Sequence, residues 1–145
     1  MAPILVKILR QGAILPTYGS CEAAGADLHA CLEAPVTIEP GKTAFVPTGI
    51  AMEVPKGCAG LVYARSGLAC KRGLAPANKV GVVDSDYRGE IMVALHNHAG
   101  TPQRIENGER IAQMVITPVL TPEYQIVPEL SDTSRGTGGF GSTGK

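Results

Sequence analysis

Glycine and proline interrupt this chain at short intervals, and that spacing limits what it can fold into. Between residues 35 and 60 a Pro or Gly stands at 35, 40, 41, 47, 49, 55, 57 and 60. An interior Pro removes a helix hydrogen bond and clashes with the preceding turn, and each Gly raises the entropy cost of ordering. The chain has 18 Gly and 11 Pro in 145 residues, a fifth of its length, against a usual share of about 12%. Helical bundles and coiled coils are excluded. Between the breaks lie short β-type runs at 35–38, 43–46, 50–54 and 60–63. Short strands between frequent turns predict an all-β sandwich or barrel in one domain.

Later segments carry the same signal. In 90–96, Ile91, Val93 and Leu95 alternate onto one face. In 110–116 both faces are apolar apart from Gln113, which predicts a strand buried on both sides. The opening stretch, MAPILVKILRQG, reads as a first strand, because Lys7 and Arg10 break it and it has no long apolar centre. One or two helical turns are expected over 66–73, capped by Ser66 and ended by Gly73. The tail, SDTSRGTGGFGSTGK, has Phe140 as its one large apolar residue and should be disordered alone. The chain therefore divides into a β domain, 1–130, and a C-terminal tail, 131–145, within the same domain, which could act as a mobile lid over a phosphorylated ligand but from its composition alone reads as a solvated tail.

Thirteen basic and thirteen acidic residues balance, with pI near 6.8. Bulk attraction to nucleic acid or an anionic membrane would need a basic excess, so neither is an expected partner. No apolar run approaches the ~18 residues of a membrane span. Cys21, Cys31, Cys58 and Cys70 form no CxxC pair and no zinc spacing, as in a reduced cytoplasmic protein.

Four segments could carry chemistry. The tail matches GxxxxGK at 139–145, but a P-loop needs a preceding strand and a following helix. Its glycines can still converge backbone N–H groups on an oxyanion, with Arg135, Ser142 and Thr143 as further donors. In 81–90 two β runs flank an Asp-rich turn, which predicts a hairpin with Asp84 at the end of a buried strand. There a carboxylate could hold and deprotonate a water, although a turn Asp often only bonds its own backbone. Arg65, Ser66 and Gly67 bring a guanidinium, a hydroxyl and a helix start together, each favourable to phosphate. Asp27 lies within a run of small apolar residues. His96 and His98 share a strand face and could bind metal, but such a pair is more often a solvated strand end, and no role is assigned.

Taken in order, Ala24-Gly25-Ala26-Asp27-Leu28, Arg65-Ser66-Gly67, Asn78 with Gly81 to Gly89, Gly108 to Gln113, and Arg135 to Gly144 resemble the five motifs of the homotrimeric dUTPases. The resemblance spans residues 24 to 144. It implies a β jelly roll and a homotrimer whose active sites are shared between subunits. It implies an enzyme that hydrolyses dUTP to dUMP and pyrophosphate with Mg²⁺, limiting uracil incorporation into DNA and supplying dUMP for dTMP synthesis. By the same resemblance Asp84 activates the water that attacks the α-phosphorus. Arg65, Ser66, Gly67 and Gln113 bind phosphate, and Arg135, Ser142 and Thr143 take the γ-phosphate when the tail closes. Asn78 and the backbone at Gly81 and Val83 read uracil, Tyr87 lies beneath the deoxyribose, and Phe140 stacks on the base. Asp27 holds a water of the phosphate-bound Mg²⁺.

Position 109 is Glu where many members have Asp, and a local structural contact is expected of it. Two rivals share the fold. A dCTP deaminase would carry an Arg-Ser-Ser type motif and a catalytic Glu, which Arg65-Ser66-Gly67 and the complete tail argue against. A binding protein without turnover would not need Asp84, Arg65 and Arg135 intact.

Overall fold

The structure is a computed structural model that describes residues 3–140. Its elements, in chain order, are β1 (Leu5–Ile8), β2 (Thr17–Tyr18), β3 (Ala26–His29), β4 (Val36–Ile38), β5 (Thr43–Pro47), β6 (Ile50–Glu53), β7 (Cys58–Tyr63), α1 (Ser66–Arg72), β8 (Leu74–Pro76), β9 (Gly81–Val83), β10 (Met92–Asn97), β11 (Gln103–Ile105) and β12 (Arg110–Pro118). The runs between Pro and Gly breaks became β4 to β7, and the opening stretch became β1. All pairings are antiparallel. They form a five-stranded sheet ordered β2-β3-β12-β7-β9, a three-stranded sheet β5-β10-β8, and the pairs β1-β6 and β11-β4.

The sheets enclose one apolar core. Leu28, Ile38, Val46, Leu74, Leu95, Ile105 and Ile111 are fully buried in it. β10 shows the period-2 logic directly. Ile91, Val93 and Leu95 are at most 2% exposed, while Met92 between them is 44% exposed. At the end of β10 the buried Asn97 side chain donates to the carbonyls of Ile38 (2.8 Å) and Thr101 (2.9 Å) and accepts from the Ala99 N–H (2.8 Å). Every polar group of that side chain is engaged, so a core amide ties β10 to β4 and to the 98–101 turn.

β12 is the central strand, paired with β3 on one edge and β7 on the other. A bulge between Arg110 and Ala112 turns both Ile111 and Ala112 inward. The expected burial on both faces holds for Ile111, Ala112 and Met114, but Gln113 and Val115 on the other face are half-buried.

α1 has two turns. Its N-cap is Arg65, in extended conformation and without a side-chain capping bond, so Ser66 is the first helical residue and not the cap. The stop is as expected: Gly73 is left-handed at φ 65° and donates to the Leu68 and Ala69 carbonyls. A Cβ there would lie 2.9 Å from the Ala99 nitrogen, so the position needs glycine for space as well.

From Val119 to Phe140 the chain contains no helix or strand. Leu120, Tyr124, Ile126 and Leu130 project from it at 86–100% exposure. No described helix is long and apolar enough to cross a membrane.

Candidate functional site

The residues singled out in the sequence gather in two places. The first is a pocket of about 390 Å³ that Asn78, Gly81, Val83, Asp84 and Tyr87 line together with Phe45, Val62, Pro76, Val93 and Glu90. Its walls are apolar and acidic, and among the described residues no Lys or Arg lines it. The segment that forms it is not the expected hairpin. β9 pairs with β7, whereas β10 pairs with β5 and β8, so residues 84–91 cross from one sheet to another. Nor is β9 a buried strand: it is the edge of its sheet, and Val82 is 62% exposed. Asp84 stands exposed just beyond that edge.

The crossing is anchored. The Tyr87 N–H bonds the Asp84 carbonyl (3.2 Å), which closes a turn after Asp84. The Tyr87 hydroxyl donates to the Glu90 carbonyl (3.1 Å). Arg10 makes a two-point bond to the Glu90 carboxylate at 2.8 and 3.0 Å, and the Gly49 N–H adds a third at 2.9 Å. The Arg10 guanidinium holds the Glu90 carboxyl below the usual carboxylate range.

The second group surrounds the start of α1. Asp27, on the buried strand β3, accepts Arg65 Nε on one oxygen (2.7 Å) and Arg110 on the other (3.2 Å). This explains an Asp among small apolar residues: a buried carboxylate requires paired charge. Arg65 keeps its two terminal amino groups free of any hydrogen bond among the described residues. Gln113 donates to the Ala64 carbonyl (2.9 Å) and so fixes the backbone just before Arg65. Gly25 makes room for this, since a Cβ there would come within 2.6 Å of Gln113 Oε1. Ser66 and Gly67 are exposed, and nothing lies within 4 Å of the place a Gly67 Cβ would take. The far end of α1 is tied as well. Arg72 bonds Gln103 Oε1 (3.1 Å), the Arg104 carbonyl and the Glu109 carboxylate, the local contact expected of Glu109.

Sequence reasoning assigned no role to Arg110 or to His29. The signal for Arg110 was Asp27 itself, which needed more counter-charge than Arg65 supplies. His29 is buried beside Asp27, and its Nδ1 has no hydrogen-bond partner among the described residues. Burial, Arg110 and Arg65 push its imidazole pKa down, and Asp27 only partly opposes them.

The two groups stand apart. Val83 lies opposite Gly60 on β7, so Asp84 flanks Ala59, while Arg65 follows the far end of that strand. The intervening stretch covers roughly 20 Å at the ordinary rise of a strand. Among the described residues the tail's hydrogen bonds are local. Arg135 bonds the Gly138 carbonyl (2.8 Å) in a local turn, and Phe140 is fully exposed. Ser142 and Thr143 fall outside the described residues.

Among the described residues no three His, Cys, Asp or Glu side chains are placed to hold a metal ion. The His96 and His98 rings meet edge to face at 4.5 Å, and His96 Nδ1 is 2.9 Å from the Thr43 hydroxyl.

The dUTPase family model matches residues 11–144. A deoxyuridine 5'-triphosphate nucleotidohydrolase of Desulfitobacterium hafniense is 54% identical over 131 residues, covering 90% of this chain and 87% of the relative. The dUTPase of Staphylococcus bacteriophage 80alpha, solved with dUpNHpp, superimposes with a TM-score of 0.91 over the whole of both chains at 31% identity. A variant dUTPase from phage phi11 of S. aureus, which coordinates a structural Mg(II) ion, has a TM-score of 0.78 at 27% identity, over 88% of this chain and 98% of its own. This chain belongs to the dUTPase family, the deoxyuridine 5'-triphosphate nucleotidohydrolases.

Proposed function

We propose that the chain hydrolyses dUTP to dUMP and pyrophosphate in a homotrimer, each site joining the base pocket of one copy to the phosphate group of another. The observation that carries this is the separation of Asp84 from Arg65. An Arg side chain and a triphosphate together cannot bridge such a gap while a water on Asp84 attacks the α-phosphorus. Two copies can. The exposed apolar arm favours the same assembly. Four large side chains in water are unfavourable, and a second copy offers a covering surface.

In this reading Asn78 and the backbone at Gly81 and Val83 pair with the uracil edge, and the pocket excludes a 5-methyl group. Tyr87 lies under the deoxyribose, where a 2′-hydroxyl would collide with it. Asp84 takes a proton from water; the water oxygen bonds the α-phosphorus, and the bond to the bridging oxygen breaks, releasing pyrophosphate. A positioned base contributes about 10²–10⁴-fold. The rest comes from Arg65, the backbone N–H groups at Ser66 and Gly67, and Gln113, which orient the phosphates and balance their charge. Arg135, Ser142 and Thr143 join at the γ-phosphate when the tail, 131–145, closes as a lid and Phe140 stacks on the base.

Mg²⁺ bound to the triphosphate would offset part of its charge. The donor set fits an ion carried by substrate, because Mg²⁺ keeps most of its waters and needs no protein cage. Asp27, whose carboxylate also pairs with Arg65 and Arg110, would hold one of those waters. The product dUMP would feed dTMP synthesis, and removal of dUTP would limit uracil in DNA.

Pyrophosphate release from dUTP, dCTP, dTTP and UTP tests the assignment. Release from dUTP alone is expected. Ammonia from dCTP would place the chain with the deaminases, and binding of dUTP without release would make it a binding protein.

A further inference from the structure

We infer that Gly89 is a specificity-positioning residue: its missing Cβ is what lets the Tyr87 ring lie where it can refuse a ribonucleotide. The inference rests on the reading of Tyr87 as the sugar gate. Tyr87 is 45% exposed and has little packing to fix its ring. What fixes it is the turn beneath. A Cβ built on Gly89 would lie 2.3 Å from the Tyr87 hydroxyl oxygen, 2.5 Å from Cζ and 3.0 Å from Cε2. No such contact can exist, so any side chain at 89 must displace the ring. The backbone does not itself demand glycine, because Gly89 is absent from the residues with positive φ.

The other side of the contact cannot yield instead. The hydroxyl reaches over Gly89 to the Glu90 carbonyl. Glu90 is held by two bonds from Arg10 and one from the Gly49 N–H, which fixes the next residue to the turn after β1 and to the 47–49 turn. Between an anchored Glu90 and a half-exposed ring, the ring moves. It would lose its hydroxyl bond and swing from the sugar position. The effect therefore acts through Tyr87 and not through contact of Gly89 with substrate.

The test compares kcat/KM for UTP and dUTP in four proteins: the parent, Gly89→Ala, Tyr87→Ala and the double variant. Gly89→Ala should raise the UTP/dUTP ratio roughly tenfold, as expected when one steric contact stops discriminating. In the Tyr87→Ala background the same change should add nothing, since no ring remains to displace. If Tyr87→Ala shifts the ratio and Gly89→Ala does not, the inference is overturned while the sugar gate stands. If Tyr87→Ala leaves the ratio fixed, the gate itself fails and takes the inference with it. Equal added effects in both backgrounds would also overturn it, because the cause would then be the backbone. Should Gly89→Ala fail to fold, recovery of a cooperative melt in the double variant supports the steric conflict, and failure there too refutes it.

Discussion

The base pocket and the phosphate group solve opposite problems. The pocket is made of backbone edges, apolar walls and one exposed carboxylate, and its guanidinium anchors work from behind, Arg10 on Glu90 and Arg88 on the Ser85 and Tyr87 carbonyls. The group at α1 is charge upon charge: Asp27 between Arg65 and Arg110, with Glu109 on Arg72 at the helix's other end. On the proposed function the first half would discriminate base and sugar, with no Lys or Arg among the described residues that line it, and the second would bind phosphate. One chain would then supply two unlike half-sites, which would let a chain of zero net charge act on a highly charged nucleotide.

The sharpest way to isolate the pocket's contribution is to remove its base. Asp84→Asn should lower turnover by about 10²-fold or more while dUTP still binds, because the phosphate half is untouched. Single-turnover kinetics with a binding isotherm would check both parts; near-normal turnover would remove Asp84 as the base. Deleting 135–145 sharpens the comparison from the other side. Turnover of dUTP should fall by about 10²-fold, as when a lid completes a site. Binding of dUMP should hardly change, since dUMP lacks the γ-phosphate that Arg135 would meet. Equal loss for dUTP turnover and dUMP binding would mean that the tail serves the base pocket.

The strands were legible because each is a local pattern bounded by Pro or Gly. Ile91, Val93 and Leu95 declared their face through period 2 alone. What no local pattern carries is the partner of a strand. The turn at 84–90 reads as a hairpin, yet β9 finds β7, more than twenty residues earlier, because β7 offers Gly60 against Val83. The same holds for ion pairs. Asp27 demanded counter-charge, but that Arg110 supplies it depends on the pairing of β3 with β12. At α1 a Ser beside an Arg looked like the cap, but Asp27 holds the Arg65 side chain in place, Arg65 takes the extended cap conformation, and Ser66 enters the helix.

The smallest expected effect separates the halves by pH. His29, in the phosphate half, has its folded pKa pushed below 6.5. The unfolded chain then takes up this proton first, so stability should fall as pH drops below 6.5, and His29→Leu should flatten that decline. Glu90, behind the pocket, has its folded pKa held below 4.5. Its contribution is present above 4.5 and is lost as pH falls through the folded value, so Glu90→Gln should change only the more acid limb. Melting temperatures between pH 3 and 8 would distinguish the two, and a single merged transition unaffected by either variant would deny the separation.

On the proposed function each active site takes its base half and its phosphate half from different copies. Asp84→Asn and Arg65→Ala, each made in its own chain, should both be nearly inactive. Unfolded together in equal amounts and refolded into mixed trimers, they should regain about a quarter of normal activity, since each half of a site is intact in half the draws. Native mass spectrometry of the mixture would verify that trimers of about 45 kDa had exchanged subunits. Recovery of that activity is the result expected. Fully mixed trimers with no more activity than either variant alone would mean that Asp84 and Arg65 of one chain serve the same site, and the account given for this fold would be wrong.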